Sequence, residues 1–376
     1  MFATLAGGLP IPPTEPDPPD ASETRGASKT PGASETRLVR LRRLVDDQRA
    51  TGLEPIGDGL LDWPEGSVVG TARVLGGQSQ PARVDPAEAA GSATRVRFQR
   101  PPVVDVAAAV ERYRELARLA APAAVKVVLG GPISIATLAA EVPSERNRLA
   151  HALAEALNAV LGGLEAAGCP LVQIDEPALT TFRAPSEGRW FVEVHGRLLA
   201  GVARLHPSLA VLGGSAEAIG AATLFEPPYR SYLFDLIDGP DNWRLVVDAP
   251  GDRGVVCGVV PTGPSLGPVN REVLVYAAHY AAATQGRGLA RVGLATAGSL
   301  AGLPYAEAVA RMRLLAAGAA AAEAAASGTA EATRERLDPR SWDLRAGGRP
   351  VPVRPVQPVR AVRRGRGPAR GSAGSS

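Results

Sequence analysis

The chain reads as an α/β protein, specifically a (β/α)8 TIM barrel, and three observations predict it. Eight short aliphatic runs alternate with helical patterns, as βα units around a parallel sheet require. Of the 376 residues 45% are hydrophobic and only 4% aromatic, enough for one large barrel with an aliphatic core. Several of the aliphatic runs end on carboxylates or histidine, and a barrel keeps its working residues at the C-terminal ends of its strands.

In chain order, strands are expected at 2–6 (FATLA), 53–57 (LEPIG), 124–130 (AVKVVLG), 170–175 (PLVQID), 190–195 (WFVEVH), 221–226 (AATLFE), 254–260 (GVVCGVV) and 289–295 (LARVGLA). Helices are expected at 36–50, 105–120, 144–167, 197–205, 228–238, 270–284 and 304–326. Ser144 opens the third of them after Pro143, as an N-cap in front of a long Ala/Leu stretch.

The barrel is expected to span residues 1–327 with two insertions. Residues 10–35 are rich in Pro, Ser, Thr and Glu and contain ASETR twice, which suits a low-complexity loop. Residues 66–104 suit a hairpin insertion after the second strand, with SVVGTARVL and ATRVRFQ as its arms, closed by Pro101 and Pro102. The segment 328–376 is Arg/Pro/Gly-rich and suits a disordered tail.

Charge and cysteine content exclude several classes. The net charge is +3, and six arginines without an acid between Val351 and the C-terminus carry the excess. With no aromatic interleaving and no nucleic-acid-binding pattern, that tail gives little support to nucleic acid as a partner. Two cysteines, Cys169 and Cys257, cannot build a disulfide framework and suit a reducing compartment. No apolar run reaches the roughly 18–20 residues of a membrane span, and the N-terminus lacks a basic leader region, so a cytoplasmic protein is expected. Lys29 and Lys126 are the only lysines in a chain whose cations are otherwise arginine.

The polar residues at expected strand ends are Asp58, Asp175 with Glu176, His195 and Glu226, with Cys257 inside the seventh strand. His, Glu and Cys are zinc-ligand types, and a carboxylate such as Asp175 can orient a substrate amine or a histidine. Each has a plainer reading as well: a strand-end carboxylate caps a helix, a free cysteine packs as a small apolar residue, and a histidine fills a core position. Cys169 lies at the N-terminal end of its strand, and His151, His206 and His279 fall in or beside helices.

VQIDEPALT resembles the QIDEPAL strand end of the cobalamin-independent methionine synthase catalytic (C-terminal) domain, a barrel of the uroporphyrinogen decarboxylase/methionine synthase-like superfamily. FATLAGGLPIPP, DDQRATGLEPIGDGLLDWP, RFQRPPVV, VVLGGPISIATLA and VGLATAGSLAGLPYAEAVARMRLLAAG are similar to further family segments in the same order, so the resemblance spans about residues 1–320. It implies a diverged methyl or alkyl transferase acting on a small-molecule thiol. In the family a zinc ion held by a His-x-Cys pair, a Glu and a later Cys activates homocysteine as a thiolate toward methyltetrahydrofolate. By resemblance Asp175 matches an aspartate that contacts the amino-acid substrate, and His195 and Glu226 match metal ligands; Glu176 and Asp58 are expected to bind substrate beside Asp175, and Asp175 and His195 to be catalytic.

The sequence departs from that pattern at several points. Arg197 replaces the cysteine of His-x-Cys, Thr296 or Ala297 replaces the late cysteine, and Leu60 replaces the glutamate of the DGE unit. Gly8, Val259 and Thr181 replace a serine, a histidine and a glutamate. The zinc site is therefore incomplete and folate fits poorly as methyl donor, which leaves a corrinoid or other methyl-donor protein as an expected partner. Cys257 would restore a three-ligand set of His195, Glu226 and Cys257 with an open fourth position. The alternative is a catalytically inactive barrel serving as a binding or regulatory module.

Overall fold

The computed structural model describes residues 1–13, 33–81, 94–263, 270–325, 342–343 and 349–350. The low-complexity segment 14–32 and nearly all of the tail expectation fall outside these residues. The elements in chain order are β1 (Phe2–Thr4), α1 (Ala33–Thr51), α2 (Ser67–Val74), β2 (Gln78–Pro81), β3 (Thr94–Arg97), α3 (Val106–Ala120), β4 (Lys126–Gly130) and α4 (Pro132–Ala139). Then come α5 (Pro143–Ala166), β5 (Leu171–Asp175), α6 (Pro185–Leu198), β6 (His206–Val211), α7 (Ala221–Leu224), β7 (Ser231–Asp235), α8 (Asn242–Asp248), β8 (Gly254–Val260), α9 (Arg271–Ala283), β9 (Val292–Thr296) and α10 (Tyr305–Ala324). A two-residue pairing of Trp342–Asp343 with Arg349–Pro350 lies beyond them.

Seven strands form one parallel sheet in the order β1-β9-β8-β7-β6-β5-β4. Its two edges are joined by the segment 54–56, where Glu54 bridges Ala3 and Ile56 bridges Val125. The Glu54 amide donates to the Ala3 carbonyl, the Ile56 amide to the Ala124 carbonyl, and the Lys126 amide to the Ile56 carbonyl. Pro55 between them has no N–H to offer, so this eighth stave pairs at single residues rather than as a strand. The sheet is thereby closed into a ring, with helices packed on its outside.

Five expected elements come out differently. Residues 190–195 lie inside α6: Trp190, Phe191, Val194, His195, Leu198 and Leu199 are buried, a helical spacing that the aromatic and β-branched residues disguised as a strand. Pro185 starts this helix, and Glu187 accepts hydrogen bonds from the amides of Arg183 and Ala184. Residues 221–226 contain the short helix α7, and the expected helix at 228–238 holds strand β7, whose three-residue apolar run at 232–234 fits either element by periodicity. The expected helix 197–205 does not form: α6 ends at Leu198, and strand β6, which was not expected, follows at His206–Val211 with Pro207 inside it. SVVGTARVL forms helix α2, so the hairpin is the antiparallel pair β2 and β3 instead.

Outside the ring one continuous apolar core joins sheet and helices, and a second, small cluster of Ala6, Ala210, Leu233, Val256 and Ala295 lies within the ring. Among the described residues no helix is long and apolar enough to cross a membrane.

Candidate active site at the carboxyl end of β5

Strand alternation turns Asp175 into the barrel, and the turn that follows sends Glu176 into the helix layer, so two adjacent carboxylates serve different surroundings. Asp175 is buried, and its carboxylate accepts from Ser67 Oγ at 2.6 Å and from Gln173 Nε2 at 2.7 Å. Gln173 also donates to the Ala6 carbonyl at 2.7 Å, while its Oε1 accepts from Lys126 Nζ at 2.7 Å. Lys126 Nζ further donates to the Leu5 carbonyl. The cluster thus ties β4, β5, the loop after β1 and the first residue of α2 across the barrel interior.

Burial dominates the electrostatics of this cluster. It pushes the Asp175 carboxyl up to about 6, against the pull of its Gln173 and Ser67 hydrogen bonds and of the Lys126 charge. It also pushes the Lys126 ammonium down to about 8, with Asp175 and then Asp58 opposing the shift. Asp58 is half-buried; it accepts from the Leu60 amide at 3.0 Å and lies 3.6 Å from Arg112. Asp58 and Asp175 therefore both act on Lys126, and an acid and a base with displaced pKa values share one buried site, an arrangement enriched at functional sites.

Glu176 is wholly buried and fully engaged. Its carboxylate accepts from the amides of Ile133 and Ser134 at 3.0 and 2.8 Å and from Ser134 Oγ at 2.6 Å, which satisfies the first turn of α4. His195 Nε2 faces it at 3.1 Å, and His195 Nδ1 lies 2.6 Å from the Tyr229 hydroxyl. A carboxylate can only accept, so Nε2 carries the proton and, in a neutral ring, Nδ1 accepts from Tyr229. Burial raises the Tyr229 phenol well above its ordinary value, and Ser134, Glu176, His195 and Tyr229 form a dry spine between barrel and helices.

The expected metal set does not assemble. His195 sits on α6 and not at a strand end, with both ring nitrogens taken. Glu226 lies on the segment leading into β7, at the opposite end of the barrel from Asp175. Cys257 is fully buried, points outward with Sγ 3.9 Å from the Ala277 carbonyl of α9, and has its thiol pushed up to about 12 by burial. Cys169 is likewise buried, with its thiol raised to about 12. Among the described residues no three His, Cys, Asp or Glu side chains are placed to hold a metal ion, so these residues do not fit the family's zinc.

Of the expected substrate-binding set, Asp175 and Asp58 act on Lys126 through their charge, whereas Glu176 is spent on α4 and α6. Lys126, Gln173 and Ser67 were not anticipated as site residues. The signal for Lys126 was its rarity, one of two lysines, placed within an apolar run. Another unanticipated strand-end acid, Asp235, is committed to the amides of Gly213, Ile237 and Asp238.

The parallel α/β barrel carries a buried carboxylate, Asp175, at the carboxyl end of β5 and a buried lysine, Lys126, at the start of β4, and its fold is that of methionine synthase-like barrels. Residues 99–263 match the family model described as the cobalamin-independent synthase, N-terminal domain. The motif resemblance had pointed to the catalytic domain of the same family. The chain is similar in structure to a B12-independent methionine synthase from Shewanella sp. W3-18-1, at 17% identity and TM-score 0.69, covering 86% of this chain and 97% of the other. A Listeria monocytogenes protein assigned as a vitamin B12-independent methionine synthase matches at 13% identity and TM-score 0.60, covering 85% and 97%. A methyltransferase from Methanosarcina mazei matches at 12% identity and TM-score 0.55, covering 76% and 85%. At these identities the structural matches carry the fold alone. No curated protein sequence matches the chain.

Proposed function

We propose that the chain transfers a methyl or alkyl group to or from a small thiol at the carboxyl end of β5, with Asp175 as the proton acceptor. The observation that carries this reading is the buried Asp175 carboxylate, raised to about 6 and held by Ser67 and Gln173 beside Lys126. A base with a pKa just below neutrality is ionised at pH 7 and still basic enough to take a proton in the transition state. In the forward direction the thiol gives its proton to Asp175, the sulfur attacks the methyl carbon of the donor, and the donor's leaving group takes the bonding pair and then the proton. The Lys126 ammonium offsets the negative charge that gathers on sulfur in a dry site. Asp58, whose charge acts on the same lysine, would meet the substrate's amine. The donor is a methylated small molecule or a corrinoid-type methyl-donor protein. No step is routed through zinc, because the residues present do not fit it.

Thiol methylation with several donors, run together with metal analysis of the purified protein, tests the reading. Asp175→Asn is expected to lower turnover by about 10²–10⁴-fold while leaving the fold intact. Full turnover in Asp175→Asn would overturn the assignment of the base, and inactivity of the wild type with every thiol and donor would return the chain to the inactive-module alternative.

A further inference from the structure

The barrel holds a second feature at its other end, a cavity of about 770 Å³ open at the amino ends of the strands. That volume lies within the span of small-molecule sites, roughly 300–1,000 Å³. Barrel interiors are ordinarily filled by layers of branched side chains. Here Ser208, Ser231 and Gly254 stand side by side in register on β6, β7 and β8, all lining the cavity, and are too small to meet across the ring.

The walls differ from the mouth in chemistry. Phe2, Leu233 and Val256 give the cavity an apolar wall, and Lys126 and Gln173 reach it from the active-site cluster. At the mouth stand Arg230, Arg253 and Arg291, each at the approach to one of the strands β7, β8 and β9. Arg230 donates to the carbonyls of Ala203 and Arg204, Arg253 to that of Tyr229, and Arg291 to that of Arg287. Carbonyls fix a guanidinium in place without neutralising it. Among the described residues the single carboxylate lining the cavity is that of Asp252, 3.6 Å from Arg253 and 76% exposed. His206, also at this end, pairs with Ser231 Oγ at 2.8 Å.

We propose that this cavity binds an organic anion with an apolar body, the anionic head at the three arginines and the hydrocarbon along Phe2, Leu233 and Val256. This site opens on the opposite end of the barrel from Asp175 and meets that cluster only at Lys126 and Gln173, which line both. Titration calorimetry of the full chain with decanoate, acetate and decanol tests it. Decanoate is expected to bind one to one, about tenfold or more tighter than either acetate, which lacks the body, or decanol, which lacks the charge. Leu171→Trp at the partly exposed entrance, and separately the surface double variant Arg230→Glu/Arg291→Glu, are each expected to weaken decanoate by about tenfold or more with unchanged circular dichroism. If Leu171→Trp fails to fold, the arginine variant decides. Absence of saturable decanoate binding, equal affinity for decanol, or undiminished binding in the folded variants would overturn the proposal.

Discussion

Glu176 and His195 meet at 3.1 Å with neither side chain reaching solvent, and through this contact the end of β5 is fixed to both α4 and α6. Removing one partner leaves the other buried with unmet hydrogen-bonding capacity. Glu176→Ala is expected to lower the unfolding free energy by about 3 kcal/mol or more, and His195→Ala by a comparable amount. Urea denaturation measures both, and a loss near zero for Glu176→Ala would contradict the role given to the spine.

Gly131 leaves room for that same carboxylate. A Cβ at this position would lie 2.1 Å from Glu176 Cδ, too close for any side chain. Gly131→Ala is expected to destabilise by about 1–3 kcal/mol through displacement of Glu176. In a double-mutant cycle with Glu176→Ala the two losses should fall short of additivity, since the second change removes what the first collides with.

The Asp175 and Lys126 pair makes a definite prediction for pH. Asp175 titrates near 6 in the folded chain against an ordinary value of 3.8, so the native state keeps a proton that the unfolded state has lost. Stability from this group therefore falls as pH rises from about 4 to about 6. Lys126 titrates near 8 against an ordinary 10.5, so the native state releases its proton first and stability rises from about pH 8 to about 10.5. The pair's contribution is lowest between pH 6 and 8. Comparing urea midpoints across pH, Asp175→Asn should flatten the acid limb relative to wild type and Lys126→Met the alkaline limb. Lys126→Met should also move the Asp175 titration upward, because it deletes the cation that lowers it.

Both cysteine thiols are buried and raised to about 12, which leaves almost no thiolate at neutral pH. Labelling by a thiol reagent at pH 7.5 is expected to be slow in the native state, by about a hundredfold or more against the chain in denaturant, as protection by burial requires. Cys257→Ala should leave the zinc content of the purified protein unchanged, and a drop in that variant would revive Cys257 as a ligand.

Much of the barrel was legible because β1, β4, β5, β8 and β9 are compact aliphatic runs between turn-forming residues, where periodicity and punctuation agree. The errors cluster between β5 and β8. Trp190, Phe191 and Val194 are residues of strand type placed at helical spacing, and Pro207 occupies a strand that a proline argues against. Asp175 was legible as a carboxylate closing an apolar run. Its partner Ser67 was not, because α2 reaches it from 108 residues away. Only folding reveals that Glu176, one residue on, faces the other way.

The ring's eighth stave, Glu54 to Ile56, is held by three backbone–backbone bonds to its neighbours, with the Ala124 amide donating to the Glu54 carboxylate and the Thr4 hydroxyl to the Pro55 carbonyl, where adjoining strands share whole ladders. Such a joint is the place where the cylinder parts with the smallest loss, and local opening draws on the segments with the fewest mutual bonds. Amide exchange at Glu54, Ile56 and Lys126 should then outpace that of β7 and β8. The molecule would breathe along one longitudinal slit beside Lys126, giving the buried acid–base pair intermittent access to water while the rest of the wall stays shut.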